Sequence, residues 1–274
     1  MSINNITNRG YVVLAGAGPG DPDLISVKAL KHLQRADVVL IDRLVSPVLI
    51  EENARIDAEV IYVGKQHSRG IHTPQRDINE MLVYYASKGK LVLRLKGGDA
   101  SLFSNILDEL KILKLHQIPY EIVPGITAAF GAAAYSAIPL TARGHSRGVR
   151  FLTLFDLESV SQTKWSDWAS TDDTLVFYMS GKKLPTLIDT LQKNHIHSSK
   201  SIAVIQQATT PYQKTIVKSF EELADKKLPE FEYVPTLIII GSVANLHHQF
   251  AWYNEQSVFE SYFDNHKIHL KNAI

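Results

Sequence analysis

The stretch Val12–Asp42, VVLAGAGPGDPDLISVKALKHLQRADVVLID, decides how this chain is read. A β-branched apolar run at Tyr11–Leu14 stops at a turn holding Gly16, Gly18, Pro19 and Gly20. A helical pattern follows, with Val27, Leu30 and Leu33 on one face and Ser26 placed to cap its start. A second apolar run, Val38–Ile41, ends at Asp42 and Arg43. Strand, tight turn, helix and strand make a βαβ unit, and ligands of such units bind beyond the carboxyl ends of the strands. Gly16–Asp21 and Asp42 both fall there.

The glycine turn is not a dinucleotide fingerprint. That motif needs a small residue at its sixth position so that the helix can approach the strand. In the frame starting at Gly16 the sixth residue is Asp21, with Pro19 inside the turn. A Walker A loop is excluded as well, since no Gly-Lys-Ser/Thr occurs. A turn of this kind can also serve simply to reverse the chain.

Alternation of short apolar runs and helical patterns continues through residue 123. Expected strands are Val60–Val63, Leu91–Leu95 and Tyr120–Val123. Thr73 and Pro74 read as cap and first residue of a helix whose apolar face is Ile78, Met81, Leu82 and Tyr85. The pattern predicts a mostly parallel sheet with helices on both faces. Parallel strands would gather Gly16–Asp21, Gly64 with Lys65, and Lys96–Asp99 at one edge.

A boundary is expected near Pro124. The Ala- and Gly-rich segment after it, ITAAFGAAAYSAIPL, suits close approach by either a ligand or a tightly packed helix. A second α/β pattern follows, with strands expected at Val149–Leu154, Leu175–Met179, Ile202–Gln206, Gln213–Val217 and Leu237–Ile240. The organisation predicted is α/β with two α/β domains, 10–124 and 125–248, and a tail, 249–274.

Composition narrows the function. The chain has 274 residues, 45% hydrophobic, with 29 Lys plus Arg against 28 Asp plus Glu. That near-neutral balance gives no reason to expect nucleic acid, which favours a basic face. There are no cysteines, which removes disulfides, thiolate catalysis and zinc–thiolate sites. His67 and His72 lack a carboxylate or thiolate to complete a metal set, so no metal is expected. The polar start MSINNITNRG does not read as a signal peptide, and no apolar run approaches the ~20 residues that span a bilayer. A soluble, cytoplasmic protein with no membrane partner is expected.

Read together, GAGPGDPDL, IDRLVS, VGK, LKGGD, VPGITA and IPLT, in that order over about residues 11–245, resemble the tetrapyrrole methylase family. The resemblance implies a class III methyltransferase fold with S-adenosyl-L-methionine folded in a cleft between the two domains. S-adenosyl-L-homocysteine would be the product of that cofactor. The matching cofactor positions are Pro19, Gly97, Gly98, Asp99, Leu102, Thr127, Ala128, Met179 and Ala208. Gly97 and Gly98 would leave backbone groups open to a ligand. Asp99 would pair with the cofactor ammonium, and Met179 and Leu102 would line the adenine.

The implied activity is C-methylation of uroporphyrinogen III to precorrin-2, on the sirohaem and cobalamin branch of tetrapyrrole biosynthesis. Asp42 matches the family's proposed base and Lys65 its proton donor. An octacarboxylate substrate needs cations, and Arg can clamp a carboxylate with two parallel hydrogen bonds. Arg43, Arg69, Arg143 and Arg147 are the substrate candidates, with Lys65, His67, His72, Arg94, His145 and Arg150 as further cations. A homodimer is implied too.

The chain departs from the family pattern mainly on the substrate side. After LKGGD it reads Ala100–Glu109, with Asn105 in place of an Arg, and L-T-H-R becomes Leu140–Arg143 with Ala142 for the His. A T-G-H becomes Leu154, Phe155 and Asp156, and an expected Gly is Ala208. A methyltransferase for another tetrapyrrole, or a homologue that binds cofactor or tetrapyrrole without turnover, are the alternatives.

Overall fold

The computed structural model describes residues 10–64, 73–154, 160–225, 235–257 and 260–263. Lys65, His67, Arg69, His72, Phe155 and Asp156 lie outside the described residues. The chain forms two compact units that divide between Ala128 and Ala129.

The first unit alternates β1 (Tyr11–Gly16), α1 (Val27–Leu33), β2 (Val38–Ile41), α2 (Pro47–Asn53), β3 (Glu59–Tyr62), α3 (Gln75–Ser87), β4 (Leu91–Lys96), α4 (Ile106–Leu115) and β5 (Tyr120–Val123). Its five strands are all parallel, in the order β3-β2-β4-β1-β5. The strands read as near-continuous apolar runs because both faces are covered. Val13, Ala15, Val39, Ile41, Leu93 and Leu95 pack under α1 and α2. Val12, Leu14, Val38, Leu40 and Val92 pack under α3 and α4. The expected strands and the helices on both faces are present.

Ser26 caps α1 as expected, its hydroxyl accepting the Ala29 N–H at 3.3 Å. The start of α3 differs from the sequence reading. Pro74, not Thr73, is the cap: its backbone is extended, and its carbonyl accepts from the N–H groups of Asp77 and Ile78.

The second unit contains α5 (Ala128–Tyr135, reaching back one residue across the division), β6 (Val149–Thr153), α6 (Gln162–Ser170), β7 (Thr174–Tyr178), α7 (Leu184–Lys193), β8 (Ser201–Gln206), β9 (Lys214–Ser219), α8 (Glu222–Asp225), β10 (Thr236–Gly241) and α9 (His247–Phe250). Its sheet is mixed, in the order β6-β7-β10-β8-β9, and only β6 and β7 pair in parallel. One face packs Leu175, Phe177, Ile202, Val204 and Ile238 against Trp165 and Trp168 of α6 and Leu187 and Leu191 of α7. The other face packs Val176, Ala203, Ile205 and Ile239 against Ala129 and Ala132 of α5.

The small residues of α5 therefore serve tight helix–sheet packing. Residues expected to form a tail also belong to this unit, which runs to Tyr262. Trp252 Nε1 donates to the Ala134 carbonyl at 2.9 Å, Tyr253 Oη to that of Thr210 at 3.0 Å, and the Tyr262 N–H to Gln207 Oε1 at 2.7 Å.

Candidate functional site

The parallel register of the first sheet brings its carboxyl ends to one edge, and three corners far apart in sequence lock together there. The Gly98 N–H donates to the Gly18 carbonyl at 2.7 Å, and the Gly18 N–H to that of Gly98 at 3.1 Å. A Cβ on Gly16 would lie 2.5 Å from the Gly98 oxygen, and one on Gly125 only 2.4 Å from the same atom. Gly18 and Gly98 both sit at positive φ, 86° and 71°. Pro19, Gly98, Asp99 and Thr127 are thus brought together, with the Thr127 Cα 3.7 Å from where a Gly98 Cβ would be.

The structure gives these glycines a packing role. The Gly98 N–H donates to the Gly18 carbonyl and the Gly98 carbonyl accepts the Gly18 N–H, so this backbone joins the two corners. At Gly97 a Cβ would meet Leu44 at 2.8 Å. The glycines let backbone pack against backbone.

Asp99 ties two of these corners. Its carboxylate accepts from the N–H groups of Ser101 (2.8 Å) and Gly125 (2.9 Å) and from the Ser101 hydroxyl (2.5 Å). Burial pushes its pKa up, but the Ser101 and Gly125 hydrogen bonds outweigh that and hold it below the ordinary value. Leu102 is half-buried beside it. Asn105, where the family carries Arg, adopts a left-handed backbone (φ 54°) at the start of α4, and its amide donates to Asp108 at 3.2 Å. Asn tolerates that conformation better than most residues.

Asp42 follows β2 and is about a third exposed. Arg94 of β4 lies beneath it, 2% exposed, with Nη2 at 3.2 Å from Asp42 Oδ2. Arg94 also donates from Nε to Glu109 Oε1 (3.1 Å) and from Nη1 to the carbonyl of Leu95 (3.0 Å). Lys96, one face-repeat along β4, donates to both Glu109 oxygens at 3.1 and 3.0 Å. Burial, reinforced by Arg94, lowers the Lys96 pKa against the opposing pull of Glu109 and Asp42. Arg94 is therefore not a surface cation for a substrate. Arg150 is also committed, to Asp173 at 2.7 Å and to Asp167. Arg143 and Arg147 are exposed in the second unit, flanking a turn anchored by Ser146, whose hydroxyl accepts from the Thr174 N–H at 3.0 Å. Arg43 is half-buried beside Gly64, whose Cβ would meet the Arg43 nitrogen at 2.5 Å.

In the second unit the strands β6, β7 and β8 run in one direction, so Met179 and Ala208 leave the same edge of that sheet. Both places are strained. Met179 has φ 52° and is 67% exposed, while Gln207 and Thr209, on either side of Ala208, have φ 47° and 67°. Left-handed backbone in residues other than glycine costs about 1–3 kcal/mol and concentrates at ligand sites. The Thr209 N–H is held by the buried Gln213 side chain at 2.7 Å. Glu109, Gln207 and Gln213 were not singled out from the sequence. For Glu109 the available signal was a charge on the apolar face of Ile106, Leu110 and Leu113, while Gln207 and Gln213 lie in a polar stretch that carries none.

Among the described residues no cluster of His, Cys, Asp and Glu could hold a metal ion, and no helix is long and apolar enough to cross a membrane.

Fold and site together define a class: an α/β protein of two sheet-centred units, the first gathering glycine corners and the Asp42 carboxylate at the carboxyl edge of a parallel sheet. A family model described as Tetrapyrrole (Corrin/Porphyrin) Methylases matches residues 11–224, and the chain belongs to that family. It is 46% identical over 245 residues to the siroheme synthase of Azotobacter vinelandii, covering 89% of this chain and 52% of that protein. The chain spans about half the length of the curated relatives it matches. Among solved structures it is similar to uroporphyrin-III C-methyltransferase from Thermus thermophilus complexed with S-adenosyl homocysteine, at 31% identity and a TM-score of 0.71. That match covers 86% of this chain and all of the other. It is also similar to cobalt precorrin-4 methyltransferase, at 27% identity and a TM-score of 0.73, covering 89% and 99% of the two chains.

Proposed function

We propose that this protein transfers methyl groups from S-adenosyl-L-methionine to carbon atoms of uroporphyrinogen III, giving precorrin-2. The observation that carries the reading is its likeness, over the whole length of that chain, to a uroporphyrin-III C-methyltransferase bound to S-adenosyl homocysteine. The cofactor residues are Pro19, Gly97, Gly98, Asp99, Leu102, Thr127 and Ala128 of the first unit and Met179 and Ala208 of the second. Their fit rests on the strain at Met179 and around Ala208, which exposes an apolar side chain and bent backbone at one sheet edge.

The cofactor supplies an electrophilic methyl on its sulfonium, and the chain's own work is alignment and proton handling. Reacting atoms must be held roughly 3–3.5 Å apart. Methyl transfer adds one positive charge to the macrocycle; Asp42 takes up the proton whose loss neutralises it, and Lys65 is the donor in the tautomeric exchange of ring protons, with no net proton added. Arg43, Arg69, Arg143 and Arg147 hold substrate carboxylates. The commitment of Arg94 and Arg150 to internal ion pairs, with Asn105 for the family's Arg, favours a second reading in which another, less anionic tetrapyrrole is methylated. A cytoplasmic homodimer is part of the proposal, and light scattering in solution tests its oligomeric state.

The deciding experiment incubates the protein with uroporphyrinogen III and methyl-labelled cofactor and seeks one or two added methyls by mass spectrometry. Methylation of a different tetrapyrrole alone would favour the second reading, and methylation of none would defeat both.

A further inference from the structure

We infer that Arg94, Glu109 and Lys96 form a buried charge relay that positions Asp42, with Glu109 and Lys96 acting through Arg94. The inference rests on the role proposed above for Asp42.

The arrangement is not what a stable core alone would select. β4 reads Leu91-Val-Leu-Arg-Leu-Lys96, and the two cations occupy alternate positions on the face that packs Val12, Leu14 and Leu40 against α3 and α4. Glu109 is 0% exposed, Arg94 2% and Lys96 3%. Taking such charges out of water is costly, and apolar replacements of similar volume are often as stable or more so. A strand that breaks the apolar rule directly beneath a site marks function more often than packing.

The geometry says what the relay does. Each guanidinium nitrogen of Arg94 is committed: Nε to Glu109, Nη1 to the carbonyls of Leu95 (3.0 Å) and Leu40 (3.4 Å), and Nη2 to Asp42. Leu40 lies on β2 opposite Arg94, two residues before Asp42. Arg94 thus grips β2 through its backbone and orients the carboxylate through Oδ2. Glu109 fixes the Arg94 fork from below, and Lys96 bonds both Glu109 oxygens, so the carboxylate cannot swing away. Arg94 is the member of the set that touches Asp42, so Glu109 and Lys96 act on that carboxylate by holding the guanidinium in place.

The test uses the full chain and the variants Glu109→Gln, Lys96→Met, Arg94→Lys and Asp42→Asn, with thermal melts to establish that each is folded. Lys96→Met leaves one buried cation against one buried anion, so it supplies a folded variant should Glu109→Gln not yield one. Misplacing a reacting group by an ångström costs on the order of 100-fold, so Arg94→Lys and Glu109→Gln should lower kcat roughly 10- to 100-fold with KM for the cofactor unchanged. In an Asp42→Asn background the same changes should cost little more. The 13C carboxyl resonance of Asp42 gives a readout free of turnover. That resonance should shift in both Glu109→Gln and Lys96→Met, as the carboxylate loses its fixed guanidinium partner.

A folded Glu109→Gln or Lys96→Met protein in which the Asp42 carboxyl resonance is unmoved overturns the relay. Full turnover by Asp42→Asn, alongside a moved Asp42 resonance in the two variants, would instead remove Asp42 from catalysis and leave the relay standing.

Discussion

Replacing Gly125 by Ala tests the interlocked corners without invoking backbone strain, because Gly125 is not among the residues at positive φ. The added Cβ would sit 2.4 Å from the Gly98 oxygen and 2.8 Å from the Gly16 Cα and carbonyl carbon. Ordinary contact begins at 3.4 Å, so the corners must separate by about 1 Å, and every obstructing atom is backbone. A shift of that size takes the paired Gly18–Gly98 hydrogen bonds, now 2.7 and 3.1 Å, towards ~4 Å, where they no longer count. Two neutral bonds at ~0.5–1.5 kcal/mol each, with some weakening of the Gly125–Asp99 bond, give a loss of about 2–4 kcal/mol. At roughly 4 °C per kcal/mol for a unit of this size, the melting temperature should fall by about 8–16 °C.

Differential scanning calorimetry reads that fall, and titration with S-adenosylhomocysteine reads the accompanying loss of affinity. Gly144→Ala is the control: its φ is +79° but nothing lies within 4 Å of the added atom, so strain alone should cost about 1 kcal/mol. A Gly125→Ala protein that melts within about 2 °C of the parent and binds normally would refute the corner-packing argument.

Asp42→Asn should lower kcat by about 100-fold or more while S-adenosylhomocysteine affinity stays within a factor of about two, since a general base acts on the transition state. Wild-type turnover would exclude Asp42. Asp99 is held below its ordinary pKa of 3.8, so the stability it contributes is fully present above that pH and is lost as pH falls through its lower, folded value. Asp99→Asn should therefore melt below the parent at neutral pH, and the gap should narrow at pH values under 3.8. A gap independent of pH would show that its charge is unimportant. Met179→Gly relieves a left-handed backbone worth about 1–3 kcal/mol at an entropic cost of roughly 0.5–1 kcal/mol, so stability should hold or rise. Loss of the apolar contact should weaken S-adenosylhomocysteine binding roughly tenfold, about 1.4 kcal/mol. Unchanged affinity by calorimetry would place Met179 outside the cofactor site.

The sequence by itself determined the parallel first sheet, because runs such as Val38–Ile41 and Leu91–Leu95 are apolar on both faces and alternate with amphipathic helices. It also determined that the glycine corners meet, since parallel strands bring their carboxyl ends to one edge. Local chemistry was legible where it is local, as with Ser26 capping α1.

Tertiary structure alone decided how those corners are used. That Gly98 spends its backbone on Gly18, and that Gly125 has no room for a methyl group, are contacts between residues dozens of positions apart. The role of Arg94 was equally hidden. An arginine at a strand end looks like a cation for a substrate until the register sets Leu40 opposite it and the turn of α4 brings Glu109 beneath it. The strain at Met179 and around Ala208 follows from how each loop must leave its sheet, which no residue type announces.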